Sequence, residues 1–413
     1  MAETDGAATT SRAATGTGDP AGAMTGGPAP PSLRRHLPEI DLFRLLTFAC
    51  VIAIHVCAAA TTRDSVGSNA AQMLLHFTRE AFFALTGFVL TFQAVRRPQT
   101  VGRFWRRRIP LVLWPYVVWT VLYALLAVVT RPPQMPPPQP GDQLWQVLTD
   151  LVSGSGWYHL YFLLVTLQVY LVYPALLPLL RRMGSRGHAA VMVVSLALQL
   201  LSCRLLSVPP AGEFGAWLTA HGFATLIAYQ LYPVLGIVAA LHLDRFQTLV
   251  HRHRVAIGLA AAAGVVVAEL AFTHLVAAGS TPSVVAGVFQ PAILPYFLVV
   301  VVALYTLSLQ LTSRWPAGGR ARQILAYGSD RSFAIFLVHP LVLTFLLPVS
   351  GAWTETIGPI PVLLALYVGT VAGTILVAEL TRRVPGSTAL TGRPRIPARW
   401  HRGRPLGPGQ GRP

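Results

Sequence analysis

The chain contains no lysine, and only 15 of its 413 residues are acidic. All 32 cationic side chains are therefore arginine. Charged residues amount to 11% of the chain, against roughly a quarter in soluble globular proteins. That deficit excludes an ordinary soluble enzyme. Cysteine is nearly absent too. Cys50, Cys57 and Cys203 all fall in apolar stretches, which excludes a disulfide framework. Their spacing is not that of metal ligands, so they read as packing residues and no metal is expected. Residues 1–35 lack bulky apolar side chains, being mostly Ala, Thr, Gly and Pro. They cannot bury enough surface to fold, and a disordered cytoplasmic tail is expected there. They also lack the charged and apolar regions of a signal peptide.

What the chain has is apolar sequence. It is 53% hydrophobic, and about ten runs are each near the roughly 20 residues needed to cross a bilayer. They fall at 40–60, 71–94, 109–130, 157–180, 188–208, 221–242, 255–278, 288–311, 324–347 and 359–381. The fold class is an all-α, polytopic membrane helix bundle. The net charge of +17 does not point to nucleic acid, because the arginines sit in short loops and tails. Alternate loops carry them: Arg96 to Arg108, Arg181 to Arg186, Arg245 to Arg254, and Arg314 to Arg322. The intervening loops hold only Arg63 and Arg131. The positive-inside rule then places both termini in the cytoplasm of a multi-pass plasma-membrane protein. The membrane domain is expected over 36–383, followed by a disordered basic tail over 384–413 that would favour an anionic inner leaflet. The sequence leaves the oligomeric state open.

The first span, EIDLFRLLTFACVIAIHVCAAA, carries three ionisable groups, Asp41, Arg44 and His55. Arg44 and His55 are separated by about three helical turns, so they share one face with a rise of about 16 Å between them. Asp41 lies one turn before Arg44. An ion pair at the interface is explained by anchoring alone. A deep histidine in register with it is not, because ionisable groups at that depth face a cavity or the protein interior.

Other buried polar residues admit two readings each. Arg79 and Glu80 are adjacent in the second span and so point apart. Glu80 is expected to line a cavity, the alternative being a pair with an arginine on another helix. His159 opens the fourth span, where it either meets an acceptor or belongs to an aromatic belt. His339 precedes Pro340, which frees a backbone carbonyl inside the ninth span. A structural role for His339 in satisfying that carbonyl is favoured.

Four stretches together resemble the acyltransferase-3 family of integral membrane proteins. Arg44 and His55 are similar to its Arg-x10-His signature. FFALTGFVL (Phe82 to Leu90) resembles the Phe-Phe-x-x-Ser-Gly-Phe pattern, with Thr86 in place of Ser. Trp157 to Leu176 resembles the family's His-Leu-Trp-Phe-Leu segment, with Tyr161 where Trp is usual. SFAIFLVHPLVL (Ser332 to Leu343) resembles its Ser-x-x-Ile-Tyr-Leu-x-His-Pro segment, with Phe336 for Tyr. The resemblance implies an acyl-CoA-dependent O-acyltransferase. It would move an acyl group, most often acetyl, from cytoplasmic acyl-CoA to a hydroxyl of a cell-envelope carbohydrate or a small metabolite.

That implication agrees with the first helix. An arginine at the cytoplasmic mouth suits the CoA phosphates, since its fork takes oxygens bidentately. A thioester carried down the pantetheine arm would arrive near His55. Asp41 is grouped with the catalytic set as the residue holding Arg44 in place. His55 would act as general base on the acceptor hydroxyl. An acyl-imidazole relay through His55 is the competing mechanism. Thr86, Tyr158 and His159 are the candidate donors to the oxyanion, and together with Glu80 they form the expected acceptor site. A passage along the helix-1 face from Arg44 to His55 is required, and the enzyme reading collapses if the two side chains turn toward lipid or are walled off from each other by packed side chains. Two rivals remain: a secondary transporter of a polar or anionic solute, and a non-catalytic membrane scaffold. The sequence shows no internal repeat of the kind many transporters carry.

Overall fold

The structure is a computed structural model that describes residues 36–132 and 139–397. The expected tail over 1–35 and the end of the chain from 398 onward lie outside these. In chain order the helices are α1 (Pro38–Ala60), α2 (Val66–Leu75), α3 (Phe77–Arg96), α4 (Val101–Val129) and α5 (Pro140–Ser153). There follow α6 (Tyr161–Arg182), α7 (Ser185–Ser207), α8 (Glu213–His221), α9 (Leu231–Leu241), α10 (Leu243–Arg252) and α11 (Arg254–Ala277). The chain continues through α12 (Pro282–Val285), α13 (Leu294–Ser313), α14 (Arg320–Ile357), α15 (Pro359–Thr381) and α16 (Ser387–Thr391). Among the described residues nine helical stretches are long and apolar enough to cross a membrane. With backbone groups satisfied inside each helix, this is the architecture a bilayer core permits.

Burial sorts the bundle into centre and rim. The α2–α3 stretch is the most enclosed, with 67% of its span window buried, and α11 the least, with 6%. The apolar length that makes α11 a span is thus turned outward, while α3 is surrounded by protein. At the centre α3 crosses α9 closely. A Cβ on Gly87 would stand 2.1 Å from the Pro233 carbonyl oxygen, and one on Gly236 would stand 1.9 Å from that of Ala84. Only glycine allows backbones to approach that near.

The expected sixth span, 221–242, is not one helix. It is two 3₁₀ turns, Gly222–Ala224 and Leu226–Tyr229, followed by the eleven residues of α9. It still returns to the end where α7 begins, because His188 and His242 meet at 2.8 Å. Composition hid the break, since the stretch is apolar throughout. What sustains it is side-chain hydrogen bonding from neighbouring helices. Gln168 of α6 donates to the Ala224 carbonyl at 2.8 Å and accepts from the Leu226 amide at 2.7 Å. Gln199 and Ser202 of α7 donate to the carbonyls of Ala228 and Ile227 at 2.7 and 3.3 Å. Non-helical backbone at membrane depth survives where protein satisfies it in this way.

The chain after α15 also departs from expectation. Residues 384–397 are described and fold back on the bundle. α16 packs on α4, and Trp119 Nε1 donates to the Leu390 carbonyl at 2.8 Å. Ser387 and Thr391 are buried. Small polar residues that would suit an exposed tail are here bonded to one another and to the Arg393 carbonyl.

Candidate active site

Helices α1 and α14 pack along one another and place matching residues at matching depth. At one end Arg44 Nη1 donates to Ser329 Oγ at 3.0 Å and to Asp41 Oδ1 at 3.4 Å, while the Ser329 hydroxyl donates to Asp41 Oδ1 at 2.5 Å. At the other end the imidazoles of His55 and His339 stack with ring centroids 5.1 Å apart. Eleven residues of α1 and ten of α14 separate the two levels. The helices therefore advance together by about 15–16 Å.

His339 owes its pose to its neighbour. Pro340 has no N–H, so the Phe336 carbonyl four residues before it loses its helical donor. His339 Nδ1–H donates to that carbonyl at 2.7 Å instead. The structural role expected for His339 is thus seen, and it has a second consequence. With the proton held on Nδ1, the other nitrogen of the neutral ring is a free acceptor. His339 Nε2 is buried and has no hydrogen-bond partner. Its ring lies between His55 and His159, whose centroids are 5.1 and 5.4 Å away. Sequence reading missed this active-site contact because it stopped at the proline. The His-Pro pair inside a span was the available signal.

His159 lies just ahead of α6 and is 2% exposed, and neither ring nitrogen has a hydrogen-bond partner. Tyr158 completes the group, its ring centroid 4.6 Å from that of His55. A cavity of about 440 Å³ opens over these residues and is lined by His55, Tyr158 and His159 together with His76, Arg79 and Tyr161. Among the described residues no carboxylate lines it. No group of described side chains capable of holding a metal ion is found. Buried polar atoms are normally bonded, and those that are not call for a functional account. What the arrangement offers is proton acceptors and donors held close together without internal partners.

Of the other expected site residues, Asp41 stands beside Arg44 as expected, while Glu80 and Thr86 lie off the cavity wall. Asp41 belongs with Arg44 and Ser329, about 21 Å along α1 from His55. It positions the arginine and does not reach the cavity. Glu80 is buried but absent from the cavity wall. Its neighbour Arg79 lines the cavity, with Nη2 3.6 Å from Glu80 Oε1. Adjacent helix residues face apart, and the packing turned the arginine inward and set the acid behind it. Thr86 Oγ1 donates to the Phe82 carbonyl at 2.8 Å, back into its own helix, and does not line the cavity.

The expected passage between Arg44 and His55 is closed. Phe48, one turn from Arg44 on the same face, packs on Phe82 at 4.4 Å and on Phe336 at 5.9 Å between centroids. Phe162 joins them, 5.6 Å from Phe82 and 5.4 Å from Phe336. Phe82, Phe162 and Phe336 line the cavity, whereas Arg44 does not. An aromatic floor separates the two levels.

Compared with known proteins, the sequence matches the acyltransferase-3 family, described as an acyltransferase domain, over residues 37–379. No curated protein and no solved structure matches it. The stretch covers the bundle from the start of α1 almost to the end of α15, and takes in Arg44, His55, His159 and His339. The chain is a multi-pass membrane acyltransferase and belongs to the acyltransferase-3 family.

Proposed function

We propose that the protein transfers an acyl group, acetyl in the simplest case, from cytoplasmic acyl-CoA to a hydroxyl of an acceptor that enters the His55 cavity. The observation that carries this is the convergence of His55, Tyr158 and His159 on one cavity, with His339 packed behind the two imidazoles and His55 three helical turns from Arg44 on the same helix. The Arg-rich loops support a cytoplasmic reading of the Arg44 end and of both termini by the positive-inside rule. The cavity then faces the opposite side of the plasma membrane, which suits an envelope carbohydrate or an exported small metabolite.

In this reading Arg44 receives the donor phosphates. Its guanidinium is held in place by Asp41 and Ser329, so little rotamer freedom is lost on binding. His55 takes the proton of the acceptor hydroxyl as its oxygen attacks the thioester carbonyl carbon. The carbon–sulfur bond then breaks, and the CoA sulfur leaves with the proton that His55 has carried. An N–H on His159 and the hydroxyl of Tyr158 are the donors placed to meet the oxyanion. His339 Nε2, a buried acceptor with no partner of its own, stands beside the His55 and His159 rings, ready to take an N–H when the site is occupied. The aromatic floor must part for the pantetheine arm, and its four phenylalanines can do so by rotation about single bonds. A closed floor between turnovers would keep water from the thioester.

Broken helices also occur in transporters. Here the backbone freed by the break before α9 is bonded to Gln168, Gln199 and Ser202, and nothing about it favours solute binding. The test is transfer of label from [¹⁴C]acetyl-CoA by the purified protein in nanodiscs, offered an extract of envelope glycans and small metabolites. Wild type should label one acceptor class, while His55→Ala, folded and inserted, should label none. Label transfer by the His55 variant at the wild-type rate would defeat the assignment.

A further inference from the structure

The Arg44 end is overloaded with positive charge. Arg44, Arg331, Arg382, Arg383 and Arg393 share three carboxylates, Asp41, Asp330 and Glu379. Asp330 alone faces three guanidinium groups, Arg382 at 2.9 Å, Arg331 at 3.1 Å and Arg393 at 3.9 Å. The sequence Ser329–Asp330–Arg331 on α14 is the hub. Ser329 holds Arg44, Asp330 holds the segment after α15, and Arg331 holds Glu379 at 2.5 Å.

That segment is built into the bundle. The Ile396 amide donates to the Arg382 carbonyl at 2.8 Å, and Arg395 Nε donates to the Arg383 carbonyl at 2.7 Å. Arg382 is 5% exposed, with its Nε buried and unpartnered. Trp119 pins Leu390 from the far side. Arg393 is therefore delivered to a fixed place beside Asp330, the residue next to the Ser329 that holds Arg44. Guanidinium groups from α1, α14 and the segment after α15 thus gather around Ser329 and Asp330. Like charges held together repel, and such a cluster is stable only with an anion among them or at a cost to the fold. The Arg393 side chain is half exposed, while that of Arg44 is 23% exposed and lies on the helix that leads to His55.

We propose that residues 382–396 form a basic lip on the donor entrance, in which Arg393 receives the 3′-phosphate of CoA while Arg44 takes the diphosphate. This rests on the donor assignment made above. The diphosphate adjoins the pantetheine arm and belongs nearer the passage, at Arg44. The ribose 3′-phosphate is farther from the thioester and belongs at the outer, more exposed guanidinium. The lip is part of this chain's own sequence beyond α15, so the donor site is completed only when the chain folds back.

The test is calorimetric titration of the full-length protein in nanodiscs with CoA and with 3′-dephospho-CoA. Wild type should prefer CoA. Arg393→Ala should weaken CoA by about tenfold, as expected for one charged phosphate contact. The same variant should leave 3′-dephospho-CoA within about twofold, and Arg393→Lys should fall between. A loss shared equally by both ligands would show a merely structural lip and overturn the proposal, as would unchanged CoA binding. The titrations are repeated in discs of phosphatidylcholine alone and with added phosphatidylglycerol. A loss that needs the anionic lipid would reassign Arg393 to a headgroup. Wild type that binds neither ligand would overturn the donor assignment, and the lip with it. Wild type that prefers CoA beside an indifferent Arg393→Ala overturns the lip alone.

Discussion

The two ends of α1 are built on opposite principles. At the Arg44 end nearly every charged group has an opposite or polar partner within 4 Å, from Asp41 and Ser329 through Asp330 to Glu379. At the His55 end the polar atoms go without. Twelve buried side-chain nitrogen and oxygen atoms among the described residues have no hydrogen-bond partner, and seven belong to Arg79, Glu80, Trp157, His159 and His339. An unmet buried polar group costs about 1–3 kcal/mol. Four of the seven, on Arg79 and His159, belong to residues that line the cavity, and the stability lost there is what a substrate can restore. In the proposed reading the Arg44 end holds a fixed geometry for the donor, and the His55 end is left open to the acceptor.

If that contrast is right, damage at the two ends should have different kinetic signatures. The largest effect is expected from His55→Ala, a fall in transfer of about 10²–10⁴-fold, the usual range for a lost general base. The apparent KM for the donor should stay near wild type. Gel-filtration of the detergent-solubilised variant checks that it folds. A rate within a few-fold of wild type would remove His55 from the chemistry.

Next in size is the pair His339 and Pro340. His339→Ala should lower kcat by about 10²-fold, because the His55 and His159 rings lose the imidazole that packs between them and fixes their pose. Pro340→Ala is the sharper variant. It supplies an N–H at position 340 that competes for the Phe336 carbonyl, so the Nδ1 bond that fixes His339 weakens. The expectation is a helix at least as stable as wild type with kcat down about tenfold. Thermal unfolding read beside kcat separates the two effects. A Pro340→Ala protein that is both stable and fully active would mean that the pose of His339 does not matter.

Damage at the Arg44 end should appear in KM. Arg44→Ala is expected to raise the acyl-CoA KM by about 10–100-fold, the worth of a charge-assisted bidentate contact, with kcat little changed. Ser329→Ala removes two hydrogen bonds that hold Arg44 and Asp41, and a smaller rise of about fivefold is expected. Initial rates against donor concentration distinguish the outcomes. If Ser329→Ala lowered kcat and left KM alone, the Arg44 end would be coupled to the chemistry and the contrast would fail.

The asymmetry also explains what could be read from the sequence. The bundle, its helix count to within one, and the shared face of Arg44 and His55 follow from apolar length and helical period, which are local properties. So does the place of Asp41 beside Arg44, one turn away. Which of Arg79 and Glu80 faces the cavity does not follow, because adjacent residues face apart and only the neighbouring helices decide which is turned inward. The closed floor was hidden for the same reason. Phe48, Phe82, Phe162 and Phe336 come from four helices, and no period within one span shows that they meet. The lip at 382–396 was read as tail because its composition is polar and basic, whereas its order comes from Trp119, Asp330 and Arg382 elsewhere in the chain.

The smallest effect is expected where the sequence pattern and the structure disagree most directly. Thr86 stands at the serine of the Phe-Phe-x-x-Ser-Gly-Phe pattern that its stretch resembles, and a hydroxyl there invites a role at the oxyanion. In the structure that hydroxyl is spent on the Phe82 carbonyl, one turn back in the same helix. Such back-bonding is a local habit of Ser and Thr in helices and needs no ligand. Thr86→Val keeps the shape and removes only the hydroxyl. The carbonyl it leaves still has its own helical donor four residues on, so no group is stranded. The expected change in transfer rate is below about twofold, within the ±0.5 kcal/mol scatter of substitutions away from a site. A loss of about 10²-fold or more, the mark of a missing oxyanion donor, would place Thr86 on the reacting carbonyl. It would also require the wall of the cavity to be redrawn with α3 turned toward His55.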